Sequence, residues 1–410
     1  MVNKEKKNKH QPLPEQAPEQ MPQPAQAKEP AEEKPRKKPR FIRRILLLLV
    51  ILAAVMAIAV LSTMEDGHHF VALRRWLMYG ETAQTQDLYT YASHQSNQWD
   101  QLGEDLLVVN PNSIQLLQRG GVPLYDLAVS MTAPMISVGT KLAAVCDVGG
   151  NTVYVMDSAG VVYTHRTEDD LLCYSARMNE LDQLAVTEQK SGYKATVTVY
   201  DSTGSLLFRF DSHDKYLSDA AVTADGKHLV VVALDTLDGA FTSSLIVYDI
   251  ATAQRTGTHP LRDGLVLDFA LNGEHIITLC DKRLAVTSLT GETLLNYAYG
   301  ELYLHGYSIT GGDFSTLLLG RYQSSNICQL VTFAPDGTRL ASLDLTEEVL
   351  DMDASGEYLA VLYGDSLVIY DRTLTELHRL QGTDYAGYVR MNEDGTALLA
   401  AETSAWRFLP

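Results

Sequence analysis

The chain has 410 residues, 46 % of them apolar, enough to bury the core of one large repeat domain or of more than one ordinary domain. Its charge is divided: residues 1–44 carry 12 Lys+Arg against 6 Asp+Glu, and the remainder carries 21 against 45. So acidic a body is poorly matched to nucleic acid, whose phosphates call for Lys and Arg, and suits a soluble domain or a cationic or neutral partner.

Residues 1–44 are rich in Lys, Pro, Gln and Glu and nearly devoid of apolar side chains. Such a segment cannot offset its ordering entropy, and a disordered basic cytoplasmic tail is expected. It serves as a topology signal; docking to cytoplasmic partners or anionic lipid through PRKKPRFIRR at 35–44 is the alternative. From Ile45 to Met64 no residue is charged, and at 1.5 Å per residue this predicts a transmembrane helix of about 30 Å. Arg36, Lys37, Lys38, Arg40, Arg43 and Arg44 precede it, and Glu65 and Asp66 follow. The positive-inside rule then puts the N-terminus in the cytoplasm and the body outside the cell membrane, as in a single-pass type II protein. A long leading segment and the lack of a small-residue cleavage site argue against a removed signal peptide. Residues 65–84 are expected as a juxtamembrane stalk, with HHFVALRRWLMY at 68–79 amphipathic: Phe70, Leu73 and Leu77 share one helical face. His68 and His69 are sequence neighbours that diverge on a helix, so no metal site is assigned to them.

Past residue 80 the pattern changes to short β-rich runs. SLIVYDIATAQ (244–254) is echoed by NTVYVMDSAG (151–160), ATVTVYDSTG (195–204) and SLVIYDRTL (366–374). Aligned on Asp249, the markers are Gln118, Asp157, Asp201, Asp249, Ser288, Ala334, Asp371 and Leu409, spaced by about 42 residues on average, the period of a four-stranded propeller blade. Asp or Ser bonds back to the following backbone, and Gly three places on (Gly121, Gly160, Gly204, Gly291, Gly337) supplies positive φ. Thr252 and Leu374 stand where that glycine would be, so two turns are expected to close differently.

A second phrase precedes each marker, as in ADGKHLVVVAL (224–234), NGEHIITLC (272–280) and SGEYLAVLYG (355–364). These runs do not alternate, which implies burial on both faces by neighbouring sheets. The reading is an all-β fold, an eight-bladed β-propeller over 85–410, with LYTYAS at 88–93 completing the last blade and joining the two ends of the ring. Seven blades is the alternative, since the phrase at 404–409 is degraded.

The stretch LCYSARMNELDQLAVTEQKSGYKATVTVYDSTGSLLFRF, followed by YLSDAAVTADGKHLVVVAL, resembles an uncharacterised bacterial family of single-pass membrane proteins. That resemblance implies an extracytoplasmic propeller of unknown function behind a tail and an anchor. More loosely, the blades resemble WD40-like and quinoprotein-like propellers. Of three tryptophans (Trp76, Trp99, Trp406) only Trp406 falls in a repeat, so the quinoprotein likeness stops at the fold.

Catalytic motifs are missing: there is no G-x-S-x-G elbow, phosphate-binding loop or H-E-x-x-H. DSHD at 211–214 and Glu168, Asp169 and Asp170 read as turn and surface chemistry, and His165, His213 and His305 as exposed or satisfied histidines near strand ends. Cys146, Cys173, Cys280 and Cys328 have no zinc-ligand spacing and are expected as buried thiols, with a disulfide as the alternative outside the cytosol. No cofactor, metal or catalytic residue is assigned. The binding candidates are Asp235, Asp238 and Phe241 in the inserted loop DTLDGAFTS (235–243), because loops on rigid scaffolds commonly carry function. The expected role is a membrane-anchored binding or scaffold module for a protein, peptide or cell-envelope polymer, not an enzyme and not a nucleic-acid binder. An extracytoplasmic sugar-active hydrolase or lyase and a transmembrane sensor are the alternatives.

Overall fold

The computed structural model describes residues 85–410, apart from 238, 262–263 and 323–326. The tail, the span at 45–64 and the stalk at 65–84 lie outside the described residues, and among the described residues no helix is long and apolar enough to cross a membrane.

The repeat resolves into eight sheets, each of four antiparallel strands. Blades 1 to 7 are contiguous in sequence, at 98–128, 134–166, 173–212, 216–261, 266–298, 303–345 and 349–381, and each runs from its innermost strand outward. Blade 8 is composite. Its three inner strands are Tyr388–Met391, Ala397–Ala400 and Ser404–Phe408, and its outermost is Thr85–Thr90 from the other end of the domain. Thr85 pairs with Phe408 and Thr90 with Ser404. The expected closing strand therefore exists, beginning three residues earlier than LYTYAS and ending at Thr90. Tyr91 leaves the ladder and donates its hydroxyl to the carbonyls of Ala401 (2.7 Å) and Ser404 (2.8 Å).

Burial follows the radial position of each strand. Every residue of Leu184–Glu188, in the second place of blade 3, is buried, whereas Glu376–Gln381, outermost in blade 7, is almost wholly exposed. Eight apolar clusters hold the ring together, one at each boundary between consecutive blades. The cluster between blades 8 and 1 joins Tyr89, Leu398, Ala400 and Ala405 to Leu106, Val108 and Leu117. Without that contact the first and last sheets would each expose an apolar face to water.

The marker turns work as their residue types require. The Asp201 carboxylate accepts the amides of Thr203 and Ser205, both at 2.8 Å, and Gly204 takes φ +83°. Blade 7 corrects one expectation. Leu374 itself adopts φ +62°, and its amide reaches the Asp371 carbonyl at 2.9 Å, just as Gly204 reaches Asp201 at 3.0 Å. The turn closes the same way because Asp371 binds the amides of Thr373 and Thr375, and the Leu374 side chain gains burial in return. Blade 4 does differ: Ala253, one residue past Thr252, carries the positive φ.

Two further expectations change. Residues 235–237 and 240–243 are paired strand and not loop: strands His228–Leu237 and Ala240–Asp249 run ten residues each, pairing Asp235 with Thr242 and Leu237 with Ala240. Trp99 also belongs to a repeat, in the innermost strand of blade 1 (Gln98–Leu102), with its ring 5.0 Å from that of Tyr388 in blade 8. The repeated phrases sit on the second and third strands of each blade, so the polar innermost strand Gln98–Leu102 left no mark in the alignment.

Candidate functional site

The innermost strands of all eight blades enclose a central channel of about 720 Å³. Its two arginines come from a repeat that the marker alignment passes over: Arg-Met-Asn-Glu occurs at 177–180 in blade 3 and again at 390–393 in blade 8. Both arginines line the channel.

Arg177 is fully engaged. Its Nε donates to Asp219 Oδ1 at 3.0 Å, one terminal nitrogen to the Phe269 carbonyl at 3.0 Å, and the other to Asp268 Oδ1 at 2.6 Å. The guanidinium carbon lies 4.9 Å from the centre of the Phe269 ring. Burial opposes the charged form, but Asp219 and Asp268 outweigh it and hold the guanidinium protonated. The two aspartates share a position. In blades 4, 5 and 7 the innermost strand bulges, and the residue just past the bulge is Asp219, Asp268 and Asp351 respectively. The bulge turns the carboxylate back on its own strand: Ala220 N reaches Asp219 at 2.9 Å and Phe269 N reaches Asp268 at 2.8 Å.

Around Arg390 carboxylates outnumber cations. Asp353 approaches it at 3.4 Å, and Asp100 and Asp351 add their fields. These acids also join blades. Asp351 accepts the Val389 amide at 2.8 Å, and Asp353 accepts the Met391 amide at 2.9 Å and the Ser308 hydroxyl at 3.2 Å. Burial pushes the Asp351 carboxyl up to about 6, against the pull of the Val389 and Met352 amides and of Arg390. Burial also raises Asp100 and Asp353, with Arg390 the main opposing influence on each. On the blade 5 side, burial and the charge of Asp268 push the Tyr307 hydroxyl up to about 12. The channel is thus a polar, acid-rich tube in which one arginine is saturated and the other faces an excess of carboxylate.

One mouth of this tube is bordered by exposed apolar side chains from five of the eight blades, and none of these side chains lines the channel itself. Each blade starts its innermost strand at the same face, and around those starts Leu172, Tyr216, Leu265, Leu267, Tyr303 and Leu350 are exposed. They come from blades 3 to 7, or from the connections leading into them. The long hairpin of blade 4 rises on this face too, since Tyr216 pairs with Leu234 and the ladder continues beyond it.

Of the residues singled out from the sequence, Phe241 stands on that hairpin, 71 % exposed. Asp235 is described through its backbone alone, and Asp238 lies outside the described residues. Phe241 does not line the channel. Glu168, Asp169 and Asp170 do not converge: Glu168 faces Arg209 at 3.1 Å and Asp170 faces Asn151 at 2.9 Å. His165 bonds Glu188 at 2.8 Å, and His305 Nε2 bonds the Tyr322 carbonyl at 2.8 Å. His213 lies against Tyr193, with ring centres 4.3 Å apart. Among the described residues no group of three or more His, Cys, Asp or Glu is arranged to hold a metal ion.

Blade number, the composite last blade and the polar tube define the class: an eight-bladed β-propeller closed by its own N-terminal strand. The chain belongs to a family of unknown function, DUF5711, whose model matches residues 81–382. No curated protein matches it. Its fold is similar to that of Sqt1 from Saccharomyces cerevisiae (12 % identity, TM-score 0.58, 80 % of this chain and 100 % of that one). It is also similar to the C-terminal WD40 domain of Sif2 (13 %, 0.57, 81 % and 100 %) and to the computationally designed protein Ika8 (13 %, 0.57, 79 % and 100 %). At these identities the likeness is one of fold alone.

Proposed function

We propose that this protein is a single-pass membrane-anchored recognition module: residues 45–64 span the membrane, the basic tail stays in the cytoplasm, and the propeller binds a protein, peptide or envelope polymer outside it. The observation that carries the binding role is the apolar collar at one mouth of an acidic channel. Exposed apolar side chains clustered in this way mark interaction surfaces, and the Tyr residues among them are typical interface anchors. The acid-rich wall behind the collar favours a partner that presents a cationic group to it. The uncharged run at 45–64, with six basic residues before it and two acids after, supports the anchor and its orientation. On this reading the domain recognises and does not catalyse, and its partner is not a nucleic acid.

A photo-crosslinking residue placed at Leu267 in the full-length protein, in intact cells, is expected to give one discrete adduct. The same group at Leu206, which leads the outermost strand of blade 3, is expected to give none. Equal labelling from both positions would remove the collar from the binding role. Protease added outside intact cells is expected to remove the propeller and leave a short N-terminal fragment; full resistance with the body inside would reverse the orientation.

A further inference from the structure

Cys146 and Cys173 are 27 positions apart and belong to different blades, yet they meet. Cys146 ends the apolar part of strand Ala143–Asp147 in blade 2, and Cys173 begins the innermost strand of blade 3. Both are 0 % exposed, and both lie in the apolar cluster between those blades. The backbones are tied together beside them. Gly149 N donates to the Cys173 carbonyl and Cys173 N donates to the Gly150 carbonyl, both at 2.7 Å, so the turn just after Cys146 is bonded directly to Cys173. The Cys173 thiol lies close enough to act on the Cys146 thiol, while its own hydrogen goes to the Ser175 carbonyl at 3.6 Å. No disulfide involves either of them in this structure, nor Cys280 or Cys328. Cys280 and Cys328 sit in two other clusters, apart from this pair and from each other.

We infer that Cys146 and Cys173 are a disulfide pair, closed when the chain folds in an oxidising compartment and locking blade 2 to blade 3. The oxidant is a disulfide-bearing molecule, a small-molecule disulfide or the active disulfide of a thiol oxidase. One cysteine thiolate attacks the oxidant's disulfide and expels one oxidant thiolate. The other cysteine then attacks the mixed disulfide and expels the second. The two cysteines lose two protons and two electrons in all, and the oxidant's disulfide is reduced to two thiols. This exchange belongs to folding. Once the blades close, neither sulfur is reachable, and the neighbouring Cys173 thiol and burial push the Cys146 thiol well above its usual range, away from the reactive thiolate. The same enclosure shields the finished bond from reductant until the interface opens.

The pairing depends on geometry, and its occurrence in cells depends on the extracytoplasmic placement proposed above, so the test has two arms. In the first, the purified full-length chain in detergent is reduced in urea and refolded with oxidised and reduced glutathione. It is then denatured and alkylated with a maleimide. Two added groups, on Cys280 and Cys328, and a crosslinked peptide containing Cys146 and Cys173 are expected. The Cys280→Ser/Cys328→Ser chain should keep the crosslink, and the oxidised domain should melt about 4 °C above the reduced one. Four added groups would overturn the pairing. In the second arm, cells are quenched in acid before alkylation. Two added groups are again expected. Four there, with the crosslink formed in the first arm, would uphold the pairing and overturn the placement outside the membrane.

Discussion

Arg177 in blade 3 reaches past the whole of blade 4 to meet Asp268 of blade 5 at 2.6 Å, while the same terminal nitrogen and Nε hold Asp219 of the blade between. One side chain thus fastens the innermost strands of three consecutive blades. Its amino-acid type would place it on the surface; its position puts it in the channel wall, less than a quarter exposed.

Removing it leaves two aspartates facing each other without a cation. Arg177→Ala is expected to lower unfolding stability by about 3 kcal/mol, since breaking an enclosed ion pair strands its partners. Arg177→Lys should recover part of this, because one ammonium cannot serve the Nε and both fork contacts together. Urea unfolding followed by tryptophan fluorescence measures both, and a lysine variant as stable as the parent would show that the fork geometry contributes nothing.

Asp351 makes a pH-dependent contribution of the less common sign. Its folded-state value is about 6, above the usual carboxylate value near 4 that it takes in the unfolded chain. The folded protein therefore holds this proton more tightly. The stabilisation is complete below about pH 4 and fades as pH rises through about 6. Asp351→Asn is expected to remove up to about 3 kcal/mol of pH-dependent stability across that window. Thermal melting of both proteins from pH 4 to 7 provides the check, and parallel curves would contradict it.

Leu374 combines a buried side chain, 8 % exposed, with a backbone at φ +62°. Leu374→Ala loses the burial and keeps the strain. Leu374→Gly loses slightly more surface but relieves the backbone. The glycine variant is expected to be the more stable of the two by about 1 kcal/mol, although glycine usually ranks below alanine. Denaturant midpoints of the two variants decide the order.

Ring closure depends on a strand from the far end of the domain. Tyr89 is wholly buried at the boundary of blades 8 and 1, and Tyr89→Ala is expected to cost about 3–4 kcal/mol. A chain beginning at residue 92 would leave the Ser404–Phe408 strand with a bare edge and should associate or unfold, whereas one beginning at 80 should fold as a monomer. Gel filtration and circular dichroism of the two chains separate these outcomes.

The blades were legible in the sequence because each is a local object. The turn at Asp201 needs only a carboxylate and a glycine three places on, and the second strand needs only a continuous apolar run, so both leave marks within ten residues. The eight-blade count followed from the period, and the closing strand from the single β-rich run left over at the N-terminal end. What Leu374 does was hidden because its strained φ is supported by burial against blade 6, a non-local gain. The ladder at 235–237 and 240–243 was hidden because DTLDG has turn composition, and cross-strand pairing with AFTS overrode it.

The channel was written in the sequence but could not be read there. Arg-Met-Asn-Glu at 177 and 390, and the aspartates at 219, 268 and 351, show as recurrences in alignment, and nothing local says that they converge. Arg177 and Asp268 are 91 residues apart and become neighbours only because the ring closes. The sequence by itself determined the repeating unit, since strand and turn formation depend on short-range contacts. The tertiary structure alone decided which charges share the channel, which apolar residues remain uncovered at its mouth and which cysteines touch, because those contacts lie between blades and come into being together with the ring.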